Sequence, residues 1–263
     1  GIMDLQHALQ VVSALAREVG AMQKESLGRR DLLVQTKSSG IDLVTEVDVR
    51  SEAMILEVLR REFPSCAIMS EESGASGPAA EYCWVVDPLD GTTNYAQGLP
   101  IFAVSIALQY QQESVLGVVY APMLDQLFTA VKGGGARKNG TLLQVSDKPS
   151  LESCVLATGF PYDVATHPLN NLDYFNSLLL KTRAVRRFGA AAYDLACVAE
   201  GSFDGYWEMN LSPWDAAAGV LLVTEAGGVV RSFRKDRKIS LVAASSQVHD
   251  WIVAELQHID AGR

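Results

Sequence analysis

Residues 84–95 read WVVDPLDGTTNY, and they decide how the rest of the chain is interpreted. The apolar start of this stretch is typical of a buried strand, and the turn-forming pairs Asp-Pro at 87–88 and Asp-Gly at 90–91 predict that the strand stops at the first pair. A strand that ends there presents two carboxylates, the free carbonyl of Leu89 and successive backbone N–H groups from one loop. Carboxylate and carbonyl oxygens are the ligands that magnesium prefers. The same pairs also occur in ordinary turns, so on this stretch alone a metal loop and a plain turn are equal alternatives.

On both sides of this stretch, the apolar pattern predicts a fold of helices packed on mixed sheets. Apolar residues at helical spacing predict helices near 5–19, 53–59, 170–180, 190–200, 213–226 and 247–257. Short apolar runs between Gly, Pro and Asn predict strands near 67–69, 82–86, 102–108, 115–119, 127–130, 154–157, 205–209, 229–231 and 239–244. The glycines at 133–135 precede the turn pair Asn139-Gly140, so we predict that they serve a hairpin and not a phosphate site. The pattern favours the α/β (α+β) class.

Other acidic residues could complete a metal site. Glu71 and Glu72 follow a short predicted strand, and Asp42 and Asp48 flank the apolar residues LVT. Asp215 lies in the first turn of a predicted helix that starts with Ser-Pro. Each acid also has an ordinary explanation, either as a solvated loop residue or, for Asp215, as a residue favoured by the helix dipole.

Composition excludes several classes of protein. A formal net charge of −9 and the absence of a long basic run argue against a nucleic-acid-binding surface. The four cysteines and four histidines are scattered, with no CxxC or HExxH pattern, so a nitrogen and sulfur metal site is not expected. No apolar run reaches the roughly 18 residues of a membrane span, and no secretory signal is recognisable, so we expect a cytoplasmic protein with reduced thiols and no membrane contact.

Three stretches together resemble the signature segments of the inositol monophosphatase family: EES at 71–73, WVVDPLDGTTNY at 84–95 and PWDAAAG at 213–219. Supporting stretches follow the same order, namely KSSGIDLVTEVD at 37–48, ATGFP at 157–161, RRFGAAAYDLA at 186–196 and GYWEM at 205–209. The resemblance covers nearly the whole chain. It implies a layered αβαβα sandwich, with residues 1–263 forming one domain whose halves, about 1–150 and 151–263, meet at the metal site.

The resemblance also implies a role for each matching residue. The metal ligands would be Glu71, Asp87, the Leu89 carbonyl, Asp90 and Asp215, holding two or three Mg2+ ions. The phosphate would be bound by Gly91, Thr92 and Thr93. The catalytic residues beside the attacking water would be Glu71, Thr92 and Asp48. The substrate alcohol would be bound by Asp90, Gly189, Ala191 and Glu208.

The reaction implied by the resemblance is magnesium-dependent hydrolysis of myo-inositol monophosphate, or of a similar small polyol or sugar phosphate, by direct attack of metal-activated water. Related enzymes act on fructose 1,6-bisphosphate, 3′-phosphoadenosine 5′-phosphate or other phosphate esters, and these substrates remain alternatives. A covalent aspartyl-phosphate mechanism of the DxDGT type fits poorly, because the two aspartates are Asp87 and Asp90, one position too far apart. An EF-hand is excluded, since the twelfth residue counted from Asp87 is Gly98 and not glutamate.

Further expectations follow from the resemblance. The partners would be a small-molecule phosphate ester and a second copy of the chain in a homodimer, with no direct nucleic-acid binding. Lithium would inhibit the enzyme. A bacterial relative is associated with a regulatory role through RNA polymerase, so an added regulatory binding role stays open.

Overall fold

The computed structural model describes residues 2–29 and 31–263. The helices in this part of the chain are α1 (Leu5–Ser26), α2 (Glu46–Glu62), α3 (Thr92–Ala96), α4 (Leu172–Lys181), α5 (Ala191–Glu200), α6 (Pro213–Glu225) and α7 (Ser246–Ala261). The strands of the first half are β1 (Val34–Thr36), β2 (Leu43–Thr45), β3 (Ala67–Ser70), β4 (Gly74–Ser76), β5 (Tyr82–Asp90), β6 (Ala103–Tyr110), β7 (Glu113–Ala121), β8 (Gln126–Val131), β9 (Ala136–Lys138) and β10 (Thr141–Leu142). The strands of the second half are β11 (Val155–Thr158), β12 (Ala184–Arg186), β13 (Gly205–Leu211), β14 (Val229–Ser232) and β15 (Ile239–Ala244).

These strands form two large mixed sheets and one small hairpin. The first sheet has eight strands in the order β10-β9-β8-β7-β6-β5-β3-β4, and the second has five in the order β12-β11-β13-β15-β14. Most neighbours in the first sheet are antiparallel, but β3 and β5 are parallel. Strands β1 and β2 pair separately as an antiparallel hairpin.

The two sheets and six of the helices stack in five layers. Alternation along β5 shows the arrangement, since Trp84 and Val86 join the core formed with α1 and α2, whereas Val85 joins the core formed with α5 and α6. The second sheet contacts α5 and α6 on one face, and its other face packs on α4 and α7. The order is therefore helices, sheet, helices, sheet, helices, and the predicted αβαβα sandwich is confirmed.

The central helix layer lies unusually close to the first sheet because small residues line the contact. A Cβ added at Gly117 of β7 would be 3.0 Å from the carbonyl oxygen of Ala218 in α6. A Cβ added at Gly219 would be 2.5 Å from the Leu195 side chain in α5. Interior packing at this density leaves little room for α6 to shift, so its N-terminus is held at a fixed distance from the sheet.

The predicted helices and long strands are confirmed, and one local prediction is wrong. Strand β5 does not stop at Asp87 but continues to Asp90 through a bulge, in which Asp87 pairs with Ser105 and Asp90 with Ala103. The sequence prediction stopped the strand because Pro88 lacks an N–H group, but a bulge accommodates that residue. The hairpin predicted at Asn139-Gly140 joins β9 to β10, and both turn residues have positive φ.

Several elements were not predicted from the sequence. The strands β1, β2, β4 and β12 are three residues each and mostly exposed or half-buried, so they lack the apolar runs on which strand prediction depends. Within residues 2–29 and 31–263, no helix is both long and apolar enough to cross a membrane. The four cysteines are free thiols, and three of them are buried.

Candidate active site

Three aspartates converge where β5 meets the N-terminus of α6. Asp87, Asp90 and Asp215 each contribute a carboxylate oxygen to a group whose members all lie within 4.8 Å of one another. Asp87 and Asp90 are buried at 2% and 5% exposure, and Asp215 is partly buried. The sequence brings these acids together from positions more than 120 residues apart, counting from Asp90 to Asp215.

The end of β5 supplies the first two acids. Its parallel neighbour β3 ends at Ser70, where the N–H of Glu71 still donates to the Val86 carbonyl over 3.2 Å. Beyond that bond, the strand is free to follow the bulge. The Leu89 side chain is buried in a small apolar cluster and anchors this segment, while its carbonyl oxygen accepts from the Thr92 hydroxyl at 3.3 Å.

Helix N-termini orient two of the aspartates. One oxygen of Asp90 accepts from the N–H groups of Ala192 and Tyr193, at 3.1 and 3.3 Å, in the first turn of α5. One oxygen of Asp215 accepts from the N–H of Ser212 at 2.8 Å, which closes the start of α6. Each carboxylate therefore has one oxygen fixed by backbone donors, and the other oxygen remains for the cluster.

Glu71 and Asp87 lie close enough for each carboxyl group to shift the pKa of the other. Burial raises the pKa of Glu71 to about 7, and the nearby Asp215 adds to the rise. Burial and the charge of Glu71 raise the pKa of Asp87 well above its ordinary value. Such shifts mean that the positive charges near the cluster do not offset its burial and the repulsion among its acids.

The cluster fits a divalent cation. Oxygen Oδ1 of Asp87 is buried and has no hydrogen-bond partner among the described residues. An ionised oxygen in that position is costly unless a cation or donor faces it. Carboxylate oxygens at this spacing are the donor set that hard divalent cations take.

Asp48 and Thr92 form a pair beside this cluster. The Thr92 hydroxyl donates to Asp48 over 2.7 Å. The other Asp48 oxygen accepts from the N–H and hydroxyl of Thr45, at 2.9 and 2.6 Å, in the capping box that starts α2. Burial raises the pKa of Asp48, whereas these hydrogen bonds oppose the rise. The pair is thus held rigidly from two helices.

Gly91 lies at the start of α3 in the left-handed region, with φ of +91°. A Cβ there would be 2.9 Å from the Ile101 carbonyl oxygen and 3.3 Å from the Ala190 side chain, so the position needs glycine for both its conformation and its space. The N–H groups of Thr92 and Thr93 follow in the first turn, where a helix has no preceding carbonyl to bond them.

Glu208 lies on β13, next to the carboxylate cluster. Its Oε1 accepts from the buried Tyr206 hydroxyl at 2.6 Å, and a Cβ on Gly159 would lie only 2.3 Å from the same oxygen. Burial raises the pKa of Glu208 to about 7, and the charge of Asp215 adds to the rise. Residues 189–191 lead into α5 and pass behind the Gly91 loop.

Sequence reasoning missed two polar residues near the cluster, Lys37 and Glu52. It also considered Glu72 and Asp42 as possible metal ligands, but in the structure both have other partners. Lys37, in the β1–β2 hairpin, lies 3.7 Å from Glu71 and 3.3 Å from Glu72, so Glu72 pairs with a cation and not with the aspartates. Asp42 accepts from Ser38 within the same hairpin. The buried Glu52 of α2 accepts from the Glu72 N–H at 2.9 Å. The sequence gives no signal for this role, because a single glutamate in a helical pattern is ordinary.

The layered fold and the buried carboxylate cluster are those of a metal-dependent phosphatase. Residues 4–261 match the inositol monophosphatase family, and the chain belongs to this family. The protein is accordingly a phosphatase, as the sequence resemblance implied.

Similar proteins include both enzymes and proteins named for another role. The chain is 44% identical to an inositol-1-monophosphatase of Synechocystis over 231 residues, which cover 88% of this chain and 80% of the relative. It is 46% identical to a Pseudomonas aeruginosa protein named Nus factor SuhB over 234 residues, covering 87% and 86%. The solved structure of an inositol monophosphatase from Anabaena superposes with a TM-score of 0.87 at 40% identity, covering 97% of both chains.

Proposed function

We propose that the protein hydrolyses myo-inositol monophosphate, or a similar small polyol or sugar phosphate, to the alcohol and phosphate with Mg2+ as cofactor. The observation that carries this proposal is the group of three aspartates within 4.8 Å of one another, one of which has a buried oxygen with no hydrogen-bond partner in residues 2–29 and 31–263. Such a group repels a phosphate ester by itself, so a cation must lie between them. The similarity to the Synechocystis enzyme supports the choice of substrate.

The metal ligands in this proposal are Glu71, Asp87, the Leu89 carbonyl, Asp90 and Asp215. When bound there, two or three Mg2+ ions lower the pKa of water and neutralise charge on the phosphoryl group. The four carboxyl groups must be ionised to bind metal, and all five residues are buried or half-buried.

The chain's own residues position the water and the phosphate. Because the Thr92 hydroxyl donates to Asp48, its oxygen is left to accept a hydrogen bond from an attacking water. Glu71 is the group that we propose receives the proton of this water, since a positioned carboxylate can act as a general base. The backbone N–H groups at Gly91, Thr92 and Thr93 donate to the phosphate oxygens.

Glu208 gives the site its preference for a polyol. Tyr206 occupies one of its oxygens, so the second oxygen is available to a ring hydroxyl. A carboxylate in this position favours a neutral alcohol over one that carries a second phosphate, because like charges repel. Asp90, Gly189 and Ala191 complete the proposed alcohol site.

The test is phosphate release from myo-inositol 1-phosphate, fructose 1,6-bisphosphate and 3′-phosphoadenosine 5′-phosphate, each with Mg2+ and with a chelator. We expect magnesium-dependent turnover led by the inositol phosphate, and we expect Asp215→Asn to abolish it. Asp31→Asn is the matched control, since the Asp31 side chain is 83% exposed and distant in sequence from the cluster. No turnover of any of the three esters would refute the proposal, and turnover led by another ester would replace the substrate.

The name of the Pseudomonas relative motivates a second candidate function, a binding role in transcription that does not need turnover. The test is capture of RNA polymerase by wild-type protein and by Asp87→Asn. Equal capture by both proteins would support this role, and the net charge of −9 predicts that it proceeds through protein contacts and not through nucleic acid.

Further parts of the proposal rest on the family resemblance. We propose a cytoplasmic homodimer, a single domain formed by both halves of the chain, and inhibition by lithium. Light scattering measures the mass in solution and so tests the dimer. A single calorimetric unfolding transition would indicate one domain, and two transitions would indicate two. A lithium titration of phosphate release tests inhibition.

A further inference from the structure

One polar side chain of α1 reaches under the proposed metal loop. Gln23 has no exposed surface, and its amide nitrogen lies 2.8 Å from the Pro88 carbonyl oxygen and 3.0 Å from the Ser51 hydroxyl. Its backbone carbonyl accepts from the Tyr95 hydroxyl at 2.8 Å. Burying a glutamine in an otherwise apolar helix face costs free energy unless its amide is hydrogen-bonded. These contacts offset part of that cost.

The Pro88 carbonyl needs such a donor. Strand β3 has already ended beside this residue, and the bulge in β5 leaves Pro88 and Leu89 outside the ladder with β6. The residue is buried, and a buried carbonyl without a donor costs about 1–3 kcal/mol. Because a carbonyl oxygen only accepts, the group that faces it must be the amide NH2 of Gln23.

Holding this carbonyl also orients the next one. The two carbonyls belong to adjacent peptide groups, so fixing the first restricts the rotation that orients the second. With the Pro88 carbonyl turned toward α1, the Leu89 carbonyl accepts from the Thr92 hydroxyl at 3.3 Å. That hydroxyl belongs to the pair with Asp48, so the Leu89 oxygen faces the site.

We propose that Gln23 is a positioning residue for the metal site: its amide fixes the Pro88–Leu89 peptide so that the Leu89 carbonyl is presented as a ligand. This inference rests on the metal site proposed above. The amide is held by its two donor contacts alone, since its Oε1 has no partner among the described residues. Through Ser51 and Tyr95 the same residue also joins α1 to α2 and α3.

The experiment measures Mn2+ binding to metal-stripped protein by calorimetry and by electron paramagnetic resonance, neither of which depends on turnover. Gln23→Met keeps the length of the side chain without the donor, and Gln23→Asn keeps an amide that is too short to reach Pro88. We expect both to weaken Mn2+ binding about 10- to 100-fold, the usual effect of losing a residue that orients a ligand. At saturating Mg2+, the KM for myo-inositol 1-phosphate should stay at the wild-type value.

Two controls separate positioning from general damage. Ser51→Ala removes only the second amide contact, and Gln109→Met removes a similar amide-to-serine contact, of 3.4 Å, between neighbouring strands of the first sheet. We expect each to change Mn2+ affinity by less than about threefold. If a folded Gln23 variant binds Mn2+ as tightly as Gln109→Met does, the inference is wrong.

The outcome for the metal site itself is distinguishable. If wild-type protein binds no Mn2+, or if Asp87→Asn binds it as well as wild type, then the proposed metal site fails. If wild type binds and Asp87→Asn does not, the metal site stands, and the Gln23 variants then decide the inference alone. If a folded Gln23 variant loses Mn2+ affinity only to the extent that it loses stability, the inference is also wrong. Thermal unfolding of each variant measures the lost stability.

Discussion

Replacing Asp87 by asparagine should stabilise the metal-free protein while removing its response to metal. The change deletes one negative charge from a buried group of acids and keeps the shape of the side chain. It also places a neutral amide, which can donate a hydrogen bond, beside Glu71 in place of a second carboxyl group. The free energy of unfolding should therefore rise in chelator, which is the opposite of what most substitutions at a buried residue do.

The size of the effect follows from the spacing of the cluster. The oxygens of the cluster lie within 4.8 Å of one another, and two unit charges at that upper limit repel by about 3.5 kcal/mol at an effective dielectric constant of about 20. Protonation limits this repulsion, because keeping a proton on an aspartate at pH 8, about four units above its ordinary pKa, costs about 5 kcal/mol. Burying the asparagine amide costs about 1–3 kcal/mol, which reduces the stability gained from the lost repulsion. The difference, a net gain of about 0.5–2.5 kcal/mol, corresponds to a rise in Tm of about 1–10 °C for a chain of this size.

The sign of the pH dependence follows from the raised pKa of Asp87, which burial causes. A group with a raised pKa in the folded state costs no stability below its ordinary pKa, and the cost grows as the pH rises. The advantage of Asp87→Asn should thus be small near pH 4 and large at pH 8.

The assay is thermal unfolding in EDTA and in excess Mg2+ at both pH values, with Asp31→Asn as the exposed control. Mg2+ at 100 times its dissociation constant should stabilise wild type by about 2.7 kcal/mol and leave Asp87→Asn unchanged. A variant that is less stable than wild type in EDTA at pH 8 would refute the reasoning about repulsion. Equal stabilisation of both proteins by Mg2+ would refute the assignment of Asp87 as a ligand.

Three further predictions concern the loop, the alcohol site and the pH profile. Gly91→Ala should lower the free energy of unfolding by about 2–4 kcal/mol and reduce turnover. The control Gly98→Ala should lower it by only about 1–2 kcal/mol, because Gly98 has a φ of +77° but open space around it. Urea unfolding measures both values. Tyr206→Phe should raise the KM for myo-inositol 1-phosphate about tenfold with little change in kcat, and the effect should vanish in a Glu208→Gln background if the hydroxyl acts through that carboxylate. Mg2+ affinity measured by calorimetry should fall from pH 8 to pH 5, since burial raises the pKa of Asp215 to about 6 and this proton must leave before metal binds.

How much of the molecule the sequence predicts depends on the range of the interaction. The helix start at Ser212 and Pro213 is a local signal, and the structure has α6 begin there with the Ser212 N–H bonded to Asp215. The extension of β5 to Asp90 is not local, because the bulge depends on β6 as a partner and on the end of β3. Sequence patterns therefore singled out the three aspartates that converge in the structure, but they misjudged the backbone that carries two of them.

Sequence patterns could not identify Glu52 and Gln23, the residues that support the backbone beside the cluster, for a related reason. Glu52 and Gln23 occupy ordinary positions in amphipathic helices, where a polar residue usually faces solvent. Only the folded structure shows that they are buried at 6% and 0% exposure, and that they bond the backbone at Glu72 and Pro88. Nothing in the spacing of these residues distinguishes them from their exposed neighbours, because the partners lie 20 and 65 positions away.

The geometry of the cluster depends finally on the distance between α6 and the first sheet. Asp87 and Asp90 belong to the sheet, whereas Asp215 belongs to the helix, so their oxygens can lie within 4.8 Å of one another only while that distance is kept at this end. The contact of Gly117 with Ala218 sets it in the middle, where a single methyl group would bring atoms to 3.0 Å. Since close-packed interiors transmit such strain, we expect a larger residue at Gly117 or Gly219 to disturb the spacing of the three aspartates, and so the proposed metal site, without touching it.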